Sequence, residues 1–337
     1  MGKAGRAPSR PGQVTRLVRA TVWLSSTVSV IGWLLLAAVN DASPFGMLLG
    51  FAPRWWVVFP WLLLLPLGAL AGAPTALVAV GGTLAAVFGI ARFELPRGAA
   101  GAPPRALRVV TYNTDFSLPL AAQLRADLRR WDADIVLLQD CKVVLAQTLR
   151  LAVREAGSLG SYCFASRWPI VDVVPLTPPA SRGTTAAPPA IRLRIRTPKG
   201  DLLVYAVHLP SPRHALGAAR WPQPGELVPR LRASLDERGR ASAFVSSMVA
   251  RRDRPFIVAG DFNLPFGSAI LRRDWGDLTN AFAAAGVGFG HTMQAGIFPV
   301  RIDHVLVPPT LRPVSATVLS GYPSEHQPVV VDLAWPD

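Results

Sequence analysis

Three long stretches without a charged residue, all within the first 92 residues, most constrain what this chain can fold into. They cover residues 20–39, 55–72 and 73–91, which is 20, 18 and 19 residues. An α-helix rises about 1.5 Å per residue, so roughly 20 apolar residues cross the hydrocarbon core of a bilayer. Tryptophans lie near several ends of these stretches, and indole rings favour the membrane interface. The pattern predicts three transmembrane helices within residues 20–92.

Two alternatives remain for this region. One is a cleaved signal peptide over residues 1–39, which the basic leader would suit, followed by buried helices. The other is two spans rather than three. The two further uncharged stretches favour membrane spans over a signal peptide. A transporter-like role is disfavoured because the stretches contain no intramembrane charge, which such a function commonly needs.

The orientation of the spans follows from the charged flanks. Residues 1–19 form a basic tail with five Lys and Arg, and positive flanks stay in the cytoplasm. Three spans then place the rest of the chain outside, as the extracytoplasmic part of an integral membrane protein. Four arginines just after the third stretch point the other way, but the first helix usually dominates. They are Arg92, Arg97, Arg105 and Arg108.

The chain changes character after the apolar region. The first 108 residues carry a net charge of +8, and the remaining 229 carry +6 with both signs well represented. Residues 93–106 are rich in proline, glycine and alanine and predict a linker. Residues 107–337 are long enough for one sizeable core. Two cysteines exclude a disulfide framework and a four-cysteine zinc site, and they leave open whether Cys141 and Cys163 pair.

Alternating and continuous apolar runs predict a mixed α/β domain over residues 107–337. Many strands with few helices indicate two packed β-sheets covered by helices. The predicted helices cover residues 120–130, 143–155 and 227–251. The predicted strands cover residues 107–113, 134–139, 191–196, 202–208, 256–260, 300–307, 314–319 and 328–333.

Polar side chains follow or begin most of these strands. Burying carboxylates, amides and imidazoles without partners is costly, so we expect them to gather at one rim of the sheets. There they would form a metal and phosphate site. The residues are Asn113, Asp115, Asp140, His208, Asp261, Asn263, Asp303, Glu325 and His326.

Each of these residues also has a purely structural interpretation. Asn113 and Asp115 suit a turn after a strand. Asp140 could cap the helix predicted from residue 143. Asp303 and His326 could form an ordinary buried pair, because a buried carboxylate needs a partner.

Taken in order, the six stretches that carry these residues resemble the endonuclease/exonuclease/phosphatase superfamily over roughly residues 106–335. The closest overall shape is that of bacterial membrane-anchored members, which implies the bacterial plasma membrane. The resemblance implies a four-layered α/β sandwich, in which two packed sheets are flanked by helices, preceded by the transmembrane helical region. It also implies hydrolysis of phosphodiester bonds with Mg²⁺ or Mn²⁺, in nucleic acid or phospholipid head groups, by metal-assisted attack of water.

The resemblance assigns roles to individual positions. Metal ligation is implied for Asn113, Asp140 and Glu325. Catalysis is implied for His208, Asp261, Asn263, Asp303 and His326. Substrate contact is expected of Asp115 and of two residues in a basic loop, Arg213 and His214.

Two positions depart from the family pattern. Asp140 stands where the family usually has glutamate, and Glu325 stands where it usually has aspartate. The two exchanges compensate around one metal, or they weaken metal binding. The second outcome would suit the alternative function, a non-catalytic membrane-tethered binding module with the same fold.

Overall fold

The computed structural model describes residues 12–38, 40–96, 107–117, 119–179, 187–218, 225–249, 255–295 and 298–335. Most of the linker predicted over residues 93–106, and much of the basic tail, lie outside the described residues. The chain forms two compact units. The first combines Met1–Ala38 with Arg54–Phe93, and the second combines Val39–Pro53 with Glu94–Asp337.

Five helices form the N-terminal part, and all but α2 belong to the first unit. They are α1 (Gln13–Ala38), α2 (Pro44–Phe51), α3 (Trp55–Val58), α4 (Trp61–Leu70) and α5 (Ala73–Leu84), the last continued by a π-helical segment (Ala85–Ile90). By length and composition, Gln13–Ala37 and Ala73–Ile90 are candidate membrane spans among the described residues. A third candidate exists only if Pro44–Phe51 and Trp55–Leu70 count as one bent span.

The first unit is held together by close helix packing. The Trp61 ring lies in a small apolar core with Val22 and Ala79. Gly82 permits this contact, because a Cβ added there would lie 2.2 Å from the Trp61 ring. Arg19 donates from its guanidinium to the carbonyl of Ala71 at 2.8 Å and so satisfies the end of α4. The outward face carries many large apolar side chains, both aliphatic and aromatic, as expected of helices that meet lipid.

The second unit is the α/β domain. Its further helices are α6 (Leu120–Trp131), α7 (Val143–Ala152), α8 (Arg213–Ala218), α9 (Leu227–Met248), α10 (Ala269–Trp275) and α11 (Ala281–Ala285). Its strands are β1 (Leu107–Asn113), β2 (Ile135–Gln139), β3 (Glu155–Leu159), β4 (Tyr162–Ser166), β5 (Ile170–Leu176), β6 (Ala190–Thr197), β7 (Gly200–His208), β8 (Phe256–Asp261), β9 (Thr279–Asn280), β10 (Met293–Ala295), β11 (Phe298–Val300), β12 (Asp303–Val307), β13 (Arg312–Val318) and β14 (Val329–Ala334).

The strands form two mixed six-stranded sheets and a small hairpin, β10–β11. The sheet orders are β13-β14-β1-β2-β4-β3 and β5-β6-β7-β8-β12-β9. In each sheet the central pair is parallel, β1 with β2 and β7 with β8. Parallel neighbours bring their carboxyl ends to the same edge of a sheet.

Three apolar cores separate the layers. The middle core lies between the sheets and includes Val109, Val204 and Ile257. One outer core packs α6 and α7 on the first sheet. The other packs α9, α10 and, from the N-terminal part, α2 on the second sheet. The predicted four-layered α/β sandwich is confirmed.

Some predicted boundaries are wrong. The helix predicted over residues 143–155 ends at Ala152, because Glu155–Leu159 pairs with β4 as an edge strand. The strand predicted over residues 300–307 is broken, since β12 begins only at Asp303 and pairs with β8. Strands β3 to β5 are not predicted at all. The β3 sequence, Glu-Ala-Gly-Ser-Leu, has no β-branched residue to signal a strand.

Cys141 and Cys163 form a disulfide, with their Cα atoms 5.8 Å apart. The sequence leaves this pairing open. The bridge joins the residue just after the candidate metal ligand Asp140 to strand β4.

Candidate active site

Strand register brings the predicted polar residues to one end of the sandwich. His208 at the end of β7 lies opposite Asp261 at the end of the parallel strand β8. Asp303 at the start of β12 also pairs with Asp261, from the antiparallel side. Asn113 ends β1 beside the end of β2, and Asp140 follows β2 directly. The two sheets therefore present their polar ends to one another.

Asp261 is the residue at which these ends meet. Its side chain is 1% exposed, and two side-chain amides donate to Oδ2: Asn113 Nδ2 at 2.9 Å and Asn263 Nδ2 at 3.1 Å. The backbone N–H of Asn263 donates to Oδ1 at 2.8 Å. The Asn263 amide also donates to the carbonyl of Leu209 at 2.9 Å. These donors hold the carboxylate in one orientation.

The backbone around Asp261 is unusual. Gly260 has φ +144°, and a Cβ there would lie 2.0 Å from the carbonyl oxygen of Val207, so no other residue fits. The backbones of Asn263 and Asp140 both adopt the left-handed conformation, with φ angles of 49° and 48°. Non-glycine residues adopt this region rarely, and such strain concentrates at functional sites.

A second pair forms between Asp303 and His326, both buried. The imidazole donates from Nδ1 to Asp303 Oδ2 at 2.9 Å, and its Nε2 lies 3.9 Å from Asp261 Oδ2. Burial alone would lower the pKa of His326, but the carboxylates of Asp303 and Asp261 outweigh burial and raise it to about 9. The ring is therefore positively charged at neutral pH, with Nε2 directed toward Asp261.

Asp140 and His208 face each other across the two sheets. His208 Nδ1 lies 3.6 Å from Asp140 Oδ1, and its Nε2 lies 3.7 Å from Asp261 Oδ2. Burial raises the pKa of Asp140, and the charges of Asp261 and Asp115 raise it further, while His208 opposes them. The N-cap of α7 is Lys142, so Asp140 does not cap that helix.

The remaining predicted residues lie at the rim. Arg213 Nη2 donates to Glu325 Oε2 at 2.7 Å, and Arg213 Nη1 lies 3.9 Å from Asp115 Oδ1. Asn113 Oδ1 accepts from the backbone N–H of Asp115, so the turn predicted at these residues forms. His214 lines the same cavity. All eleven predicted site residues thus lie around one cleft or in the buried pair behind it.

The donor set fits a hard divalent cation. Asp115 and Asp261 lie close enough to Asp140 for their charges to raise its pKa, and Mg²⁺ prefers such oxygen ligands. Among the described residues, the acidic and histidine groups within 4.8 Å of one another are Asp261, Asp303 and His326. A metal ligand must be deprotonated, and the raised pKa of His326 opposes that. The oxygen ligands around Asp140 are the better candidates.

Three supporting residues were not predicted as part of the site. Thr292 Oγ1 accepts from the backbone N–H groups of Ile302 and Asp303, at 3.1 and 3.0 Å, and so fixes the start of β12. Ser324 donates to the carbonyl of Asn113 at 2.9 Å. Arg238 is fully buried and donates from Nη1 to the carbonyl of Asn263 at 3.0 Å. Arg238 lies within a helix rich in charged residues, where nothing in the sequence marks it as buried.

The fold and this site define a class of phosphate-ester hydrolases. The model of the endonuclease/exonuclease/phosphatase family matches residues 110–326, well over half of the chain. The protein therefore belongs to this family, whose members are generally hydrolases of phosphate esters. Comparison with curated protein sequences finds no match.

Solved structures share the fold at low sequence identity. A mannosyl-6-phosphatase from Bacteroides thetaiotaomicron VPI-5482 is 18% identical, with a TM-score of 0.50 over 68% of this chain and 100% of that one. A 3′-5′ exonuclease from Neisseria meningitidis is 17% identical, with a TM-score of 0.50 over the same shares. A functionally unknown protein from Enterococcus faecalis V583 is 14% identical, with a TM-score of 0.51, again over 68% and 100%. These likenesses support the fold alone. The substrate has to be inferred from the residues of the site.

Proposed function

We propose that this protein is a membrane-anchored, divalent-metal-dependent phosphodiesterase. The observation that carries the proposal is the buried arrangement around Asp261, which Asn113 and Asn263 orient within 3.1 Å. His326, charged and held by Asp303, faces the same carboxylate. Hydrolysis of a phosphodiester needs an oriented water, positive charge on the phosphoryl oxygens and a proton for the leaving group. The cleft offers a residue for each need.

The residues divide these tasks by charge and position. Asp261 accepts hydrogen bonds and orients the attacking water. His326 supplies positive charge to the phosphate, because its pKa of about 9 keeps it protonated at neutral pH. Asp303 fixes the ring orientation through Nδ1. His208, between Asp140 and Asp261, is placed to hold a proton for the leaving oxygen.

Asp140 would be the main ligand of Mg²⁺ or Mn²⁺, with Asn113 and Glu325 as further candidates. The bound ion would neutralise charge on the phosphate. Glu325 now accepts from Arg213, so its part in metal binding is the least supported of the three.

The location proposed is the bacterial plasma membrane, with the catalytic unit on the extracytoplasmic side. The Cys141–Cys163 disulfide supports that side, because disulfides persist in oxidising compartments. Fusions of alkaline phosphatase and of green fluorescent protein to the C-terminus test this. Active phosphatase with dark fluorescent protein is expected, and the reverse result would place the catalytic unit in the cytoplasm.

The function is tested on the full chain in nanodiscs. Hydrolysis of bis-4-nitrophenyl phosphate, plasmid DNA, RNA and phosphatidyl lipids is measured with and without Mg²⁺ or Mn²⁺. Asp261→Asn should lower the turnover rate by a factor of about 10³ or more, as loss of an orienting catalytic group typically does. Asp236→Asn is the matched control, because Asp236 is exposed on α9 and lies outside the cleft lining.

Two outcomes would contradict the proposal. Turnover that survives Asp261→Asn would place the chemistry elsewhere. A folded protein that neither turns over any of these esters nor binds Mn²⁺ would favour the tethered binding module, with the exchanged carboxylates at 140 and 325 as the cause.

A further inference from the structure

The segment that connects α1 to α3 along the chain (residues 40–53, here called the connecting segment) packs as part of the catalytic unit. Asp41 is 4% exposed and accepts from the hydroxyl of Ser268 and from the backbone N–H of Ala269. It thereby caps the start of α10. Met47, in α2, is fully buried in the same outer core as α9 and α10. Residues between two apolar stretches thus complete a core whose other members lie more than 100 residues further along the chain.

The C-terminal end of α2 is fastened to the catalytic loop. The Arg238 guanidinium lies 5.7 Å from the centroid of the Phe51 ring. The same guanidinium donates to the carbonyl of Asn263, which in turn orients Asp261. The position of α2 is therefore fixed relative to the catalytic carboxylate.

Fixed in this way, α2 forms one wall of the cleft. The cavity that contains Asp140, His208, Asp261 and His326 has a volume of about 1120 Å³. Pockets for whole small molecules span about 300–1,000 Å³, so the space far exceeds what one phosphate group needs. Much of the lining beyond the catalytic residues is apolar, and it includes Leu48, Phe51, Pro210, Leu216, Phe244 and Met293.

The charges in the cleft favour one of the two proposed substrate classes, which are nucleic acid and phospholipid. Among the described lining residues, five carboxylates face two guanidinium groups and the charged ring of His326, and one of the guanidinium groups is paired with Glu325. The carboxylates are Asp115, Asp140, Glu237, Asp261 and Glu325, and the guanidinium groups are Arg213 and Arg240. A nucleic-acid groove needs cations along the path of the phosphates. A cleft that is both acidic and apolar instead suits a molecule with one phosphate group and an apolar part. A bound metal would neutralise the charge of that phosphate.

We propose that the substrate is an amphiphile, a lipid phosphate ester whose head reaches Asp261 while its alkyl part lies against the α2 wall. The inference rests on the proposed function and narrows its substrate class. We take the bilayer as the source of this substrate, because α2 is joined in sequence to apolar helices that are candidate membrane spans. The connecting segment is then a substrate-binding element as well as a link between spans.

The test varies the alkyl chain while the reacting group stays constant. Methyl, butyl, hexyl and octyl 4-nitrophenyl phosphate are hydrolysed by the full chain in nanodiscs with Mn²⁺. The expected kcat/KM rises about fourfold for each methylene that the wall covers, the factor for burying one CH₂. A flat series in an active enzyme would overturn the inference and leave the proposed function standing.

Variants assign the effect to the wall. Leu48→Asn should lower the ratio of kcat/KM for the octyl ester to kcat/KM for the methyl ester by about tenfold or more. Phe45→Asn is the matched control, because Phe45 lies on the same helix, is 66% exposed and does not line the cleft. If Leu48→Asn fails to fold, Leu216→Asn tests the same cleft from α8. Equal losses on the methyl and octyl esters would contradict a role in binding the chain.

Binding separates failure of the inference from failure of the proposed function. If no ester is hydrolysed, the affinities of ethyl and octyl phosphate for the nanodisc protein are compared by calorimetry. Much tighter binding of octyl phosphate would support the α2 wall without catalysis, and equal affinities would overturn it. Phosphatidylglycerol in phosphatidylcholine vesicles should compete with the octyl ester, whereas single-stranded DNA should not. Competition by DNA alone would favour the nucleic-acid substrate.

Discussion

Replacing Arg238 by methionine should separate catalysis from stability. The Arg238 side chain is fully buried, and its Nη1 donates to the carbonyl of Asn263 at 3.0 Å. Its Nε and Nη2 atoms have no hydrogen-bond partner among the described residues. Methionine fills a similar volume and carries no charge. The replacement therefore removes one useful hydrogen bond together with a poorly compensated buried charge.

The two contributions to stability nearly cancel. Burial lowers the pKa of Arg238 from its ordinary value to about 10, and the charges of Asp41 and Glu237 oppose this shift. At 1.36 kcal/mol per pKa unit, the charged form is disfavoured by about 3 kcal/mol in the fold. A hydrogen bond from a charged donor contributes about 1.5–3 kcal/mol. We expect the free energy of unfolding to change by no more than about 1–2 kcal/mol.

Arg238→Met should lower the activity although it changes the stability little. Asn263 has a left-handed backbone, and its amide and N–H groups orient Asp261. Without the donor on its carbonyl, this loop loses a constraint. We expect Arg238→Met to lower kcat/KM by about tenfold, which is about 1.4 kcal/mol of transition-state stabilisation. The loss should appear in kcat more than in KM.

The assay measures thermal unfolding and bis-4-nitrophenyl phosphate kinetics on the same nanodisc preparation. Arg232→Met is the control, because Arg232 lies on the same helix and is exposed. Arg238→Lys keeps the charge and one donor and should recover part of kcat. A loss of well over 3 kcal/mol of stability would refute the cancellation. Full activity in a folded variant would refute the link from Arg238 to the catalytic loop.

Four further predictions concern other parts of the catalytic unit. Cys141→Ala with Cys163→Ala should lower the free energy of unfolding by about 3 kcal/mol, from the loop of 22 residues that the bridge closes, and should abolish the effect of reductant on the melting temperature. Asp41→Ala should cost about 2 kcal/mol in chemical denaturation, since the Ser268 hydroxyl and the Ala269 N–H at the start of α10 lose their acceptor, whereas Asp41→Asn should cost less. Burial lowers the pKa of His304 to about 4; the folded protein should therefore lose about 3 kcal/mol of stability as the pH falls from 6.5 to 4, and His304→Gln should lack that part of the loss. Asp140→Ala should weaken Mn²⁺ binding by tenfold or more in calorimetry, and unchanged affinity would remove Asp140 from the metal site.

The strand ends could be predicted from the sequence, and with them most of the site. Apolar runs that stop at Asn113, His208 and Asp261 signal buried strands that end in polar groups, and the register of β1 with β2 and of β7 with β8 then brings them together. The resemblance to a family supplied the four-layered arrangement and the order of the motifs. Strands β3 to β5 were not predicted because their sequences lack a clear alternation of apolar and polar residues.

The supporting contacts could not be predicted, because each joins residues far apart in the chain. Asp41 and Ser268 are separated by 227 positions. Asp41 resembles a charge that simply ends an apolar stretch, and Arg238 resembles a solvated helix residue. Only the packed structure shows that both are buried in the catalytic unit.

These contacts bear on the role of the proposed membrane anchor. An anchor that merely tethers a domain through a linker can be cut away without harm. Here the chain leaves the first apolar helix, contributes Asp41 and α2 to the catalytic unit, and then returns to the apolar helices. A fragment that begins after residue 104 would lack Met47 from the core, the Phe51 ring beside Arg238 and one wall of the cleft. Low activity in such a fragment would therefore say little about the catalytic residues, and the full chain in a bilayer is the form in which the substrate should be sought.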